Sequence, residues 1–219
     1  MSAVAPLQAR QLEAGLAALS LDLPAAAQEK LLAYCRLLDK WNRTYSLTAL
    51  RDPEKAVSHH LLDSLAILPF VTGASLLDVG SGGGMPGIPL AIARRELAVT
   101  LVDSNSKKTA FLQQAAIELS LANISVHCGR VEQYHRSVGF KLITSRAFSE
   151  LSTFVDCSRH LLAPDGAWLA MKGVYPRDEI ARLAGDVEVV AVHRLEVAGV
   201  DGERHVVVVR RKENSGDLS

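Results

Sequence analysis

The chain is predicted to be an α/β protein with a mostly parallel, doubly wound sheet, a C-terminal antiparallel hairpin and an N-terminal helical extension. From Ser75 onward, short apolar runs alternate with helical segments of about 10–15 residues, which is typical of a parallel sheet. Nothing before Val71 alternates like a strand. Only a short turn separates the last two β-like runs, and a connection of that kind favours an antiparallel pair.

The N-terminal extension is predicted over residues 1–72, as a helical unit that caps the following domain. Leucines recur at intervals of three and four residues over Leu7 to Leu19, and Gln28 to Asn42 repeats the pattern after a break at Pro24. A third helix is expected over Ser58 to Leu68, ended by Pro69.

The main domain is predicted over residues 73–212, followed by a frayed tail at 213–219. Its parallel strands are expected in five runs: Ser75 to Gly80, Ala98 to Asp103, Ile124 to Cys128, Lys141 to Arg146 and Ala167 to Met171. Helices are expected between and after them: Gly87 to Glu96, Lys107 to Leu121, Leu151 to Leu162 and Pro176 to Ala184. The closing hairpin is expected over Val187 to Val197 and Arg204 to Arg210.

Composition excludes several classes of protein. The chain has 219 residues, with 24 Lys and Arg against 24 Asp and Glu, so it lacks the basic surface of a general nucleic-acid coat protein. Any binding to phosphate must come from a local patch. The longest apolar stretches, such as Leu65 to Val71, are far shorter than the ~20 residues of a membrane helix. No signal peptide is evident, and we expect a cytoplasmic protein without a membrane partner.

Cysteine and histidine spacing gives no support for a metal site. Cys35, Cys128 and Cys157 form no CxxC pair, and we expect reduced, buried thiols that belong to the core. The seven histidines show neither HExxH nor HxH spacing. We therefore expect no metal cofactor.

The segment from Leu76 to Gly87, LLDVGSGGGMPG, is the most informative in the chain. Glycines permit close approach of a ligand to the main chain, here at the carboxyl edge of the predicted sheet. Residues 82–87 match GxGxxG, the dinucleotide signature, although a single match is weak. Read from Asp78, the segment is DxGxGxG, the loop of S-adenosylmethionine (AdoMet) enzymes, and this frame begins directly on the strand. The predicted cofactor is therefore AdoMet, with loop contacts at Gly80, Gly82 and Gly84.

Three acidic residues follow successive strands and suit the polar groups of AdoMet. Asp78 lies near the loop, where a carboxylate favours the ammonium group of the cofactor. Asp103 ends the next strand, where an acid can accept both ribose hydroxyls, although NAD would use such an acid too. Glu132, after the third strand, is expected near the adenine amine. The alternative is a glycine-rich turn whose acidic neighbours merely cap helices.

The methyl acceptor is indicated by the groups that the chain lacks. The Asn/Asp-Pro-Pro-aromatic tetrapeptide of amine methylation is absent, since the corresponding segment is Ser145-Arg146-Ala147-Phe148. None of the three cysteines is placed as a nucleophile. Guanine N7 needs no general base, because it has an in-plane lone pair and no proton, so alignment alone can suffice. Arg146 can bind the acceptor base or orient the cofactor; otherwise it is a surface arginine at a strand end.

Further motifs resemble the bacterial small-subunit ribosomal RNA guanine-N7 methyltransferases, the RsmG or GidB family. The similarity runs from about Leu31 to Val209, and its motifs are LLDKWNRTYSLTALRDP, HHLLDSL, DVGSGGGMPGIPL, GRVE, SRAF, MKG and DGERHVVVV. The combination of DVGxGxGxPGIPL with SRAF and DGERH is highly specific. Two positions depart from the family pattern: Ser46 stands where Asn is usual, and His59 where Arg is common.

The resemblance implies a Rossmann-like AdoMet-dependent domain with a helical N-terminal part. It also implies methylation of N7 of one guanine in the decoding-region loop of 16S rRNA. Carried over to this sequence, the family's cofactor contacts are Gly80, Met85, Val131, Glu132 and Arg146.

The RNA-binding surface is less defined by the sequence. Basic side chains cluster near the N-terminus, interleaved with acids that favour an ordinary solvated face: Lys40, Arg43, Arg51, Lys55, His59 and His60. Lys172, at the end of the fifth strand, is a better candidate for a phosphate or base contact. Trp41 and Tyr45 can stack on bases, or belong to the core. Zero net charge predicts modest affinity for naked RNA, and hence a small-subunit particle as substrate.

Three alternatives stay open at the level of sequence. The chain is an NAD(P)-dependent oxidoreductase if residues 82–87 hold a dinucleotide. It is an RNA-binding assembly factor if the cofactor pocket is vestigial. It is an AdoMet enzyme of small-molecule metabolism if the acceptor is not RNA.

Overall fold

The computed structural model describes residues 4–50, 52–146, 148 and 150–212, and contains a seven-stranded sheet between two layers of helices. The strands are β1 (Ser75–Val79), β2 (Ala98–Asp103), β3 (Ile124–Cys128), β4 (Phe140–Ser145), β5 (Leu162–Lys172), β6 (Val187–Arg194) and β7 (His205–Arg211). The main helices are α1 (Val4–Ala18), α2 (Ala25–Tyr45), α3 (Asp63–Leu65), α4 (Gly87–Ala93), α5 (Ser106–Glu118), α6 (Leu151–Ser158) and α7 (Arg177–Ala181). The tail expected at 213–219 lies outside the described residues.

The sheet order is β3-β2-β1-β4-β5-β7-β6, with β1 to β5 parallel and β7 antiparallel to both of its neighbours. The predicted doubly wound sheet and its C-terminal hairpin are therefore confirmed. The order reverses between β1 and β4, because the chain runs outward from β1 to β3 and then returns to the other side of β1. In such folds ligands bind at the carboxyl ends of the strands beside this reversal.

Two apolar layers cover the faces of the sheet. On one face Leu31 and Phe111 are fully buried in a layer that joins the N-terminal helices to α4 and α5. On the other face Trp168 and Phe154 pack with α6. The N-terminal helices thus bury their leucine stripes against the sheet domain, and the proposed division at residue 72 crosses a continuous core.

Several element boundaries differ from the sequence prediction. The third N-terminal helix begins as a π-helix, Val57–Leu62, and continues as α3. Pro69 lies within a short 3-10 turn, Leu68–Phe70. α6 ends at Ser158 rather than Leu162, because the chain turns there and enters β5 five residues earlier than predicted. This early start lets Leu162 pair with Phe140 before a bulge in the ladder.

Candidate functional site

A cavity of about 470 Å³ lies at the carboxyl ends of β1 and β2, in front of the glycine loop. Its walls include four of the predicted cofactor residues: Gly80, Asp103, Val131 and Glu132. Phe148 closes one side. The volume falls within the roughly 300–1,000 Å³ usual for small-molecule sites.

The glycines of the loop have different tasks. Gly80, Gly82 and Gly84 all have positive φ, at 69°, 57° and 92°. A Cβ added to Gly80 would have only the Phe148 ring within 4 Å, at 3.8 Å, so it would project into the cavity. A Cβ on Gly84 would instead lie 2.5 Å from the Ile88 side chain. The structure therefore assigns Gly80 to the cavity and Gly84 to packing of the loop against α4.

Asp103 connects the second strand to the glycine loop. Its Oδ2 accepts a hydrogen bond from the Gly82 amide at 2.9 Å, and its Oδ1 accepts one from the Asn105 amide, also at 2.9 Å. Lys108 Nζ lies 3.9 Å from Oδ2. Each carboxylate oxygen has two acceptor positions, so Asp103 keeps capacity for ligand hydroxyls while it fixes the loop.

Asp78 is fully buried behind the loop. Its Oδ2 accepts a hydrogen bond from the Gly87 amide at 3.0 Å, whereas its Oδ1 is buried without a hydrogen-bond partner among the described residues. Burial raises the pKa of Asp78 to about 7, against the opposing effects of the Gly87 amide and the Arg146 charge. Asp78 is not among the residues that line the cavity, and its predicted contact with the cofactor ammonium stays a prediction.

Tyr34 on α2 is a loop-positioning residue that sequence reasoning missed. Its hydroxyl donates to the Gly83 carbonyl at 2.5 Å, and its side chain is completely buried. Burial raises the pKa of Tyr34 well above its usual value, so the hydroxyl keeps its proton. The leucine periodicity of α2 indicates only which face is buried, and it contains no signal that this tyrosine reaches the loop.

A second cavity, of about 280 Å³, lies beside β4 and β5. It is lined by His59, His60, Asp63, Arg146, Met171, Lys172, Gly173, Leu195, Arg204 and His205. Asp63 Oδ2 lies 3.2 Å from Arg146 Nη1, and Asp63 Oδ1 accepts from Arg204 Nε at 3.0 Å. One carboxylate of the N-terminal region thus joins two arginines that are distant in sequence.

Arg146 also donates to the His59 carbonyl at 2.9 Å, and its Nη2 lies 3.3 Å from the Met85 sulfur. Met85 is buried and forms a cis peptide bond with Pro86. The two predicted cofactor residues Met85 and Arg146 therefore meet between the loop and the second cavity. Their cofactor contacts stay predictions.

Lys172 is held at the end of β5. Its Nζ donates to the Phe148 carbonyl at 3.0 Å and to Glu179 Oε2 at 2.6 Å. Only 9% of the side chain is exposed. Lys172 therefore supports the wall that Phe148 contributes to the first cavity, and its predicted contact with RNA stays a prediction.

The basic cluster near the N-terminus is divided between surface and interior. Lys40, Arg43 and Lys55 are exposed, and Arg43 pairs with Asp39 at 2.7 Å. His60 is buried, and burial with the nearby Arg146 charge lowers its pKa to about 4, so it is neutral at pH 7. The predicted residue Arg51 lies outside the described residues.

Trp41 and Tyr45, the two aromatic residues proposed to stack on bases, also differ in how far they are buried. Trp41 packs edge-on against Phe111, with ring centroids 5.6 Å apart, and contacts Tyr45 at 5.2 Å. Trp41 therefore belongs to the edge of the core, whereas Tyr45 is 44% exposed.

The expectation that all three cysteines are buried is wrong. Cys35 is buried and Cys157 is half-buried, but Cys128 is exposed, because it is the last residue of β3, the edge strand of the sheet. Among the described residues, no cluster of three or more potential metal ligands is arranged to hold an ion. Nor does that part of the chain contain a helix long and apolar enough to cross a bilayer.

Comparison with known proteins gives consistent matches. The model of the family described as rRNA small subunit methyltransferase G matches residues 27–207. A Neisseria meningitidis serogroup C protein of the name Ribosomal RNA small subunit methyltransferase G is 57% identical over 203 residues, 92% of this chain and 98% of the relative. The protein of that name from Stutzerimonas stutzeri is 53% identical, over 96% and 99% of the two chains.

Solved structures support the fold. Thermus thermophilus TrmN superposes with a TM-score of 0.56 at 20% identity, over 78% of this chain and 53% of TrmN. M. jannaschii TYW2, solved in complex with AdoMet, gives a TM-score of 0.52 at 15% identity, over 71% and 78% of the two chains. At these identities the similarity concerns the Rossmann-like methyltransferase fold alone.

Proposed function

The chain belongs to the rRNA small subunit methyltransferase G family, and from this premise we propose that it transfers a methyl group from AdoMet to N7 of a guanine in the decoding-region loop of 16S rRNA. The observation that carries the proposal is the family match over residues 27–207, which includes the glycine loop and its cavity. Neither the NAD(P)-dependent oxidoreductase nor the assembly factor with a vestigial pocket receives support, because the relatives carry methyltransferase names.

The residues around the first cavity fit AdoMet. AdoMet supplies an electrophilic methyl carbon on a cationic sulfonium. Gly80 leaves the main chain open to close approach, and Asp103 has acceptor capacity for ribose hydroxyls. Val131 and Glu132 line the far wall, where we propose that the adenine lies. Asp78 is proposed to favour the ammonium group through the loop.

Methyl transfer to guanine N7 requires little of the protein beyond alignment of N7 with the methyl carbon. Guanine N7 carries a lone pair and no proton, so no side chain has to act as a general base. The contribution of the protein is then to hold N7 in line with the methyl carbon, an effect of proximity and orientation. Arg146 suits this positioning task, because Asp63 and the His59 carbonyl fix its guanidinium between the loop and the second cavity.

The proposed substrate is a partly assembled small-subunit particle rather than naked rRNA. The formal net charge of zero provides little general attraction for phosphates, so recognition must depend on a few placed groups. We propose the same cytoplasmic location as for the ribosomal particles. No step requires a metal ion or a membrane.

Incubation of the purified chain with methyl-labelled AdoMet and unmodified small-subunit particles tests this function. We expect label in 7-methylguanosine after nuclease digestion, and none when the particles already carry the modification. Label confined to small metabolites would contradict the acceptor. Binding of NADH without binding of AdoMet, measured by equilibrium dialysis, would contradict the cofactor.

A further inference from the structure

The two cavities lie on opposite sides of the point where the strand order reverses. The first is built on β1 and β2, with Gly80 and Asp103 in its walls. The second is built on the ends of β4 and β5 and the start of β7, where Lys172 pairs with His205. A group-transfer enzyme needs two adjacent sites at this edge, one for the donor and one for the acceptor.

We propose that the second cavity is the subsite for the acceptor guanine, and that His205 accepts a hydrogen bond from the N1–H or 2-amino group of the base. This inference rests on the proposed function, since it assigns a place to the acceptor of that reaction. The cavity volume of about 280 Å³ lies at the lower end of the range usual for small-molecule sites, which fits a ligand as small as a base.

The orientation of His205 defines which of its ring nitrogens accepts. His205 Nδ1 lies 2.7 Å from the Gly173 carbonyl oxygen. Because a carbonyl oxygen only accepts, Nδ1 donates this hydrogen bond, and Nε2 is the ring nitrogen that has a lone pair when the ring carries a single proton. Within the described chain, no hydrogen bond to Nε2 is formed. Guanine offers two donors on its Watson–Crick edge, whereas adenine lacks the N1–H and presents an acceptor there.

The charges around the cavity favour a base over an RNA phosphate. Arg146 and Arg204 share the Asp63 carboxylate, and Lys172 lies 2.6 Å from Glu179. Two carboxylates are thus paired with the three cations, and one of them, Asp63, lies in the cavity wall itself, which weakens the attraction of the cavity for a phosphate. Methylation at N7 makes the base cationic, so the Asp63 carboxylate in the cavity wall also offsets part of the charge that develops in the transition state.

Two substitutions separate the proposed recognition from the structural hydrogen bond. Asn can place a donor where Nδ1 now contacts Gly173, but it has no acceptor at the position of Nε2. Gln has an amide oxygen near the position of Nε2. We expect His205→Asn to lower kcat/KM for methyl transfer to small-subunit particles by about 10- to 100-fold, the usual effect of an unpaired polar group. His205→Gln should retain most of the activity.

Both variants should bind AdoMet within about twofold of the wild-type affinity, which equilibrium dialysis measures. His160→Asn, at an exposed histidine, is the matched control and should match the wild-type activity. The proposal would be overturned if His205→Gln were impaired and His205→Asn were not, because the structural hydrogen bond would then explain the effect. Wild-type activity in both variants would also overturn it.

Two further outcomes are distinct from these. The slope of log KM against log salt concentration is compared between each His205 variant and the wild type. A smaller slope in a variant would indicate that the cavity holds a phosphate, and would overturn the assignment to a base. Absence of methyl transfer to guanine N7 by the wild-type protein would instead refute the proposed function itself. The wild-type assay therefore separates the two failures before any variant is measured.

Discussion

The first cavity, proposed for AdoMet and called the cofactor side, and the second cavity, proposed for the guanine and called the acceptor side, are constructed differently. On the cofactor side, one continuous segment supplies the strand, the loop and the start of α4, and three further segments complete the cavity wall. The polar contacts that fix the loop are mostly to main-chain atoms, as between Asp103 and the Gly82 amide. On the acceptor side, side chains from four distant parts of the chain meet in one cavity. Asp63 and Arg204, for example, are 141 residues apart. A site fixed by main-chain contacts tolerates little change in shape, whereas a site formed by paired side chains depends on how those side chains pack.

The largest effect is expected for a substitution in the glycine loop on the cofactor side. Gly80→Val places a branched side chain in the cavity at a residue with a φ of 69°. We expect AdoMet affinity to fall by more than about 100-fold, or roughly 3 kcal/mol, because the side chain blocks the ligand and the backbone is strained. Isothermal titration calorimetry measures the affinity.

Gly185→Val is the matched control for this change. A Cβ at Gly185 has no atom within 4 Å, and its φ is not in the left-handed region, so affinity should be unchanged. Wild-type AdoMet binding by Gly80→Val would mean that the cofactor does not approach this loop.

The second largest effect is expected for a substitution that disrupts the ion pairs on the acceptor side. Asp63→Asn removes the charge that Arg146 and Arg204 share. We expect a loss of about 2 kcal/mol in the free energy of unfolding, less than for a fully buried pair because each arginine is about a quarter exposed. Urea denaturation gives the value. Asp39→Asn, which breaks an exposed pair with Arg43, should cost less than about 0.5 kcal/mol, and equal losses would contradict the distinction between the two pairs.

This contrast also explains what the sequence could predict. The alternation of apolar runs and helices is local information, and it predicted β2 and β3 to the residue. The glycine loop was recognisable for the same reason, since its spacing lies within twelve residues. The early start of β5 could not be predicted, because Leu162 joins the sheet through a bulged pairing with Phe140.

Only some of the residues that line the second cavity could be predicted from the sequence. The sequence indicates Arg146 and Lys172 as candidate site residues because each lies at the end of a predicted strand. This position also places them at the carboxyl edge of the sheet. The shared role of Asp63 was not visible, since nothing in a run such as HHLLDSL indicates a partner near Arg204. Tyr34 was missed because its hydroxyl bonds to a carbonyl in another segment, and a leucine stripe shows burial but not polar contacts.

A third, smaller effect tests whether the N-terminal helices support the cofactor side. Tyr34→Phe removes the hydrogen bond to the Gly83 carbonyl and leaves that group without its donor. We expect AdoMet affinity to fall about three- to tenfold, corresponding to about 1 kcal/mol, with kcat nearly unchanged. Tyr45→Phe, at a largely exposed tyrosine on the same helix, is the control. A decrease in kcat with unchanged affinity would show that Tyr34 does not act through the loop.

The last effect is a pH dependence, and it concerns Asp78, a buried acid behind the loop. Burial raises its pKa from 3.8 in the unfolded chain to about 7 in the fold. Between these values the folded state holds a proton that the unfolded state releases, so stability is greatest below the unfolded pKa and decreases as the pH rises to about 7. Asp78→Asn cannot ionise, and its melting temperature relative to wild type should therefore increase from pH 5 to pH 8.

Scanning calorimetry of both proteins over this range measures the difference, with Asp156→Asn, at an exposed aspartate, as the control that should show no such trend. A constant difference across the range would mean that Asp78 is already ionised at pH 5. Saturating AdoMet sharpens the test, because a cofactor ammonium near Asp78 would favour the carboxylate and shift the dependence to lower pH. If AdoMet leaves the pH dependence unchanged, Asp78 serves only to cap α4, and the cofactor side of the edge depends on main-chain contacts and Asp103.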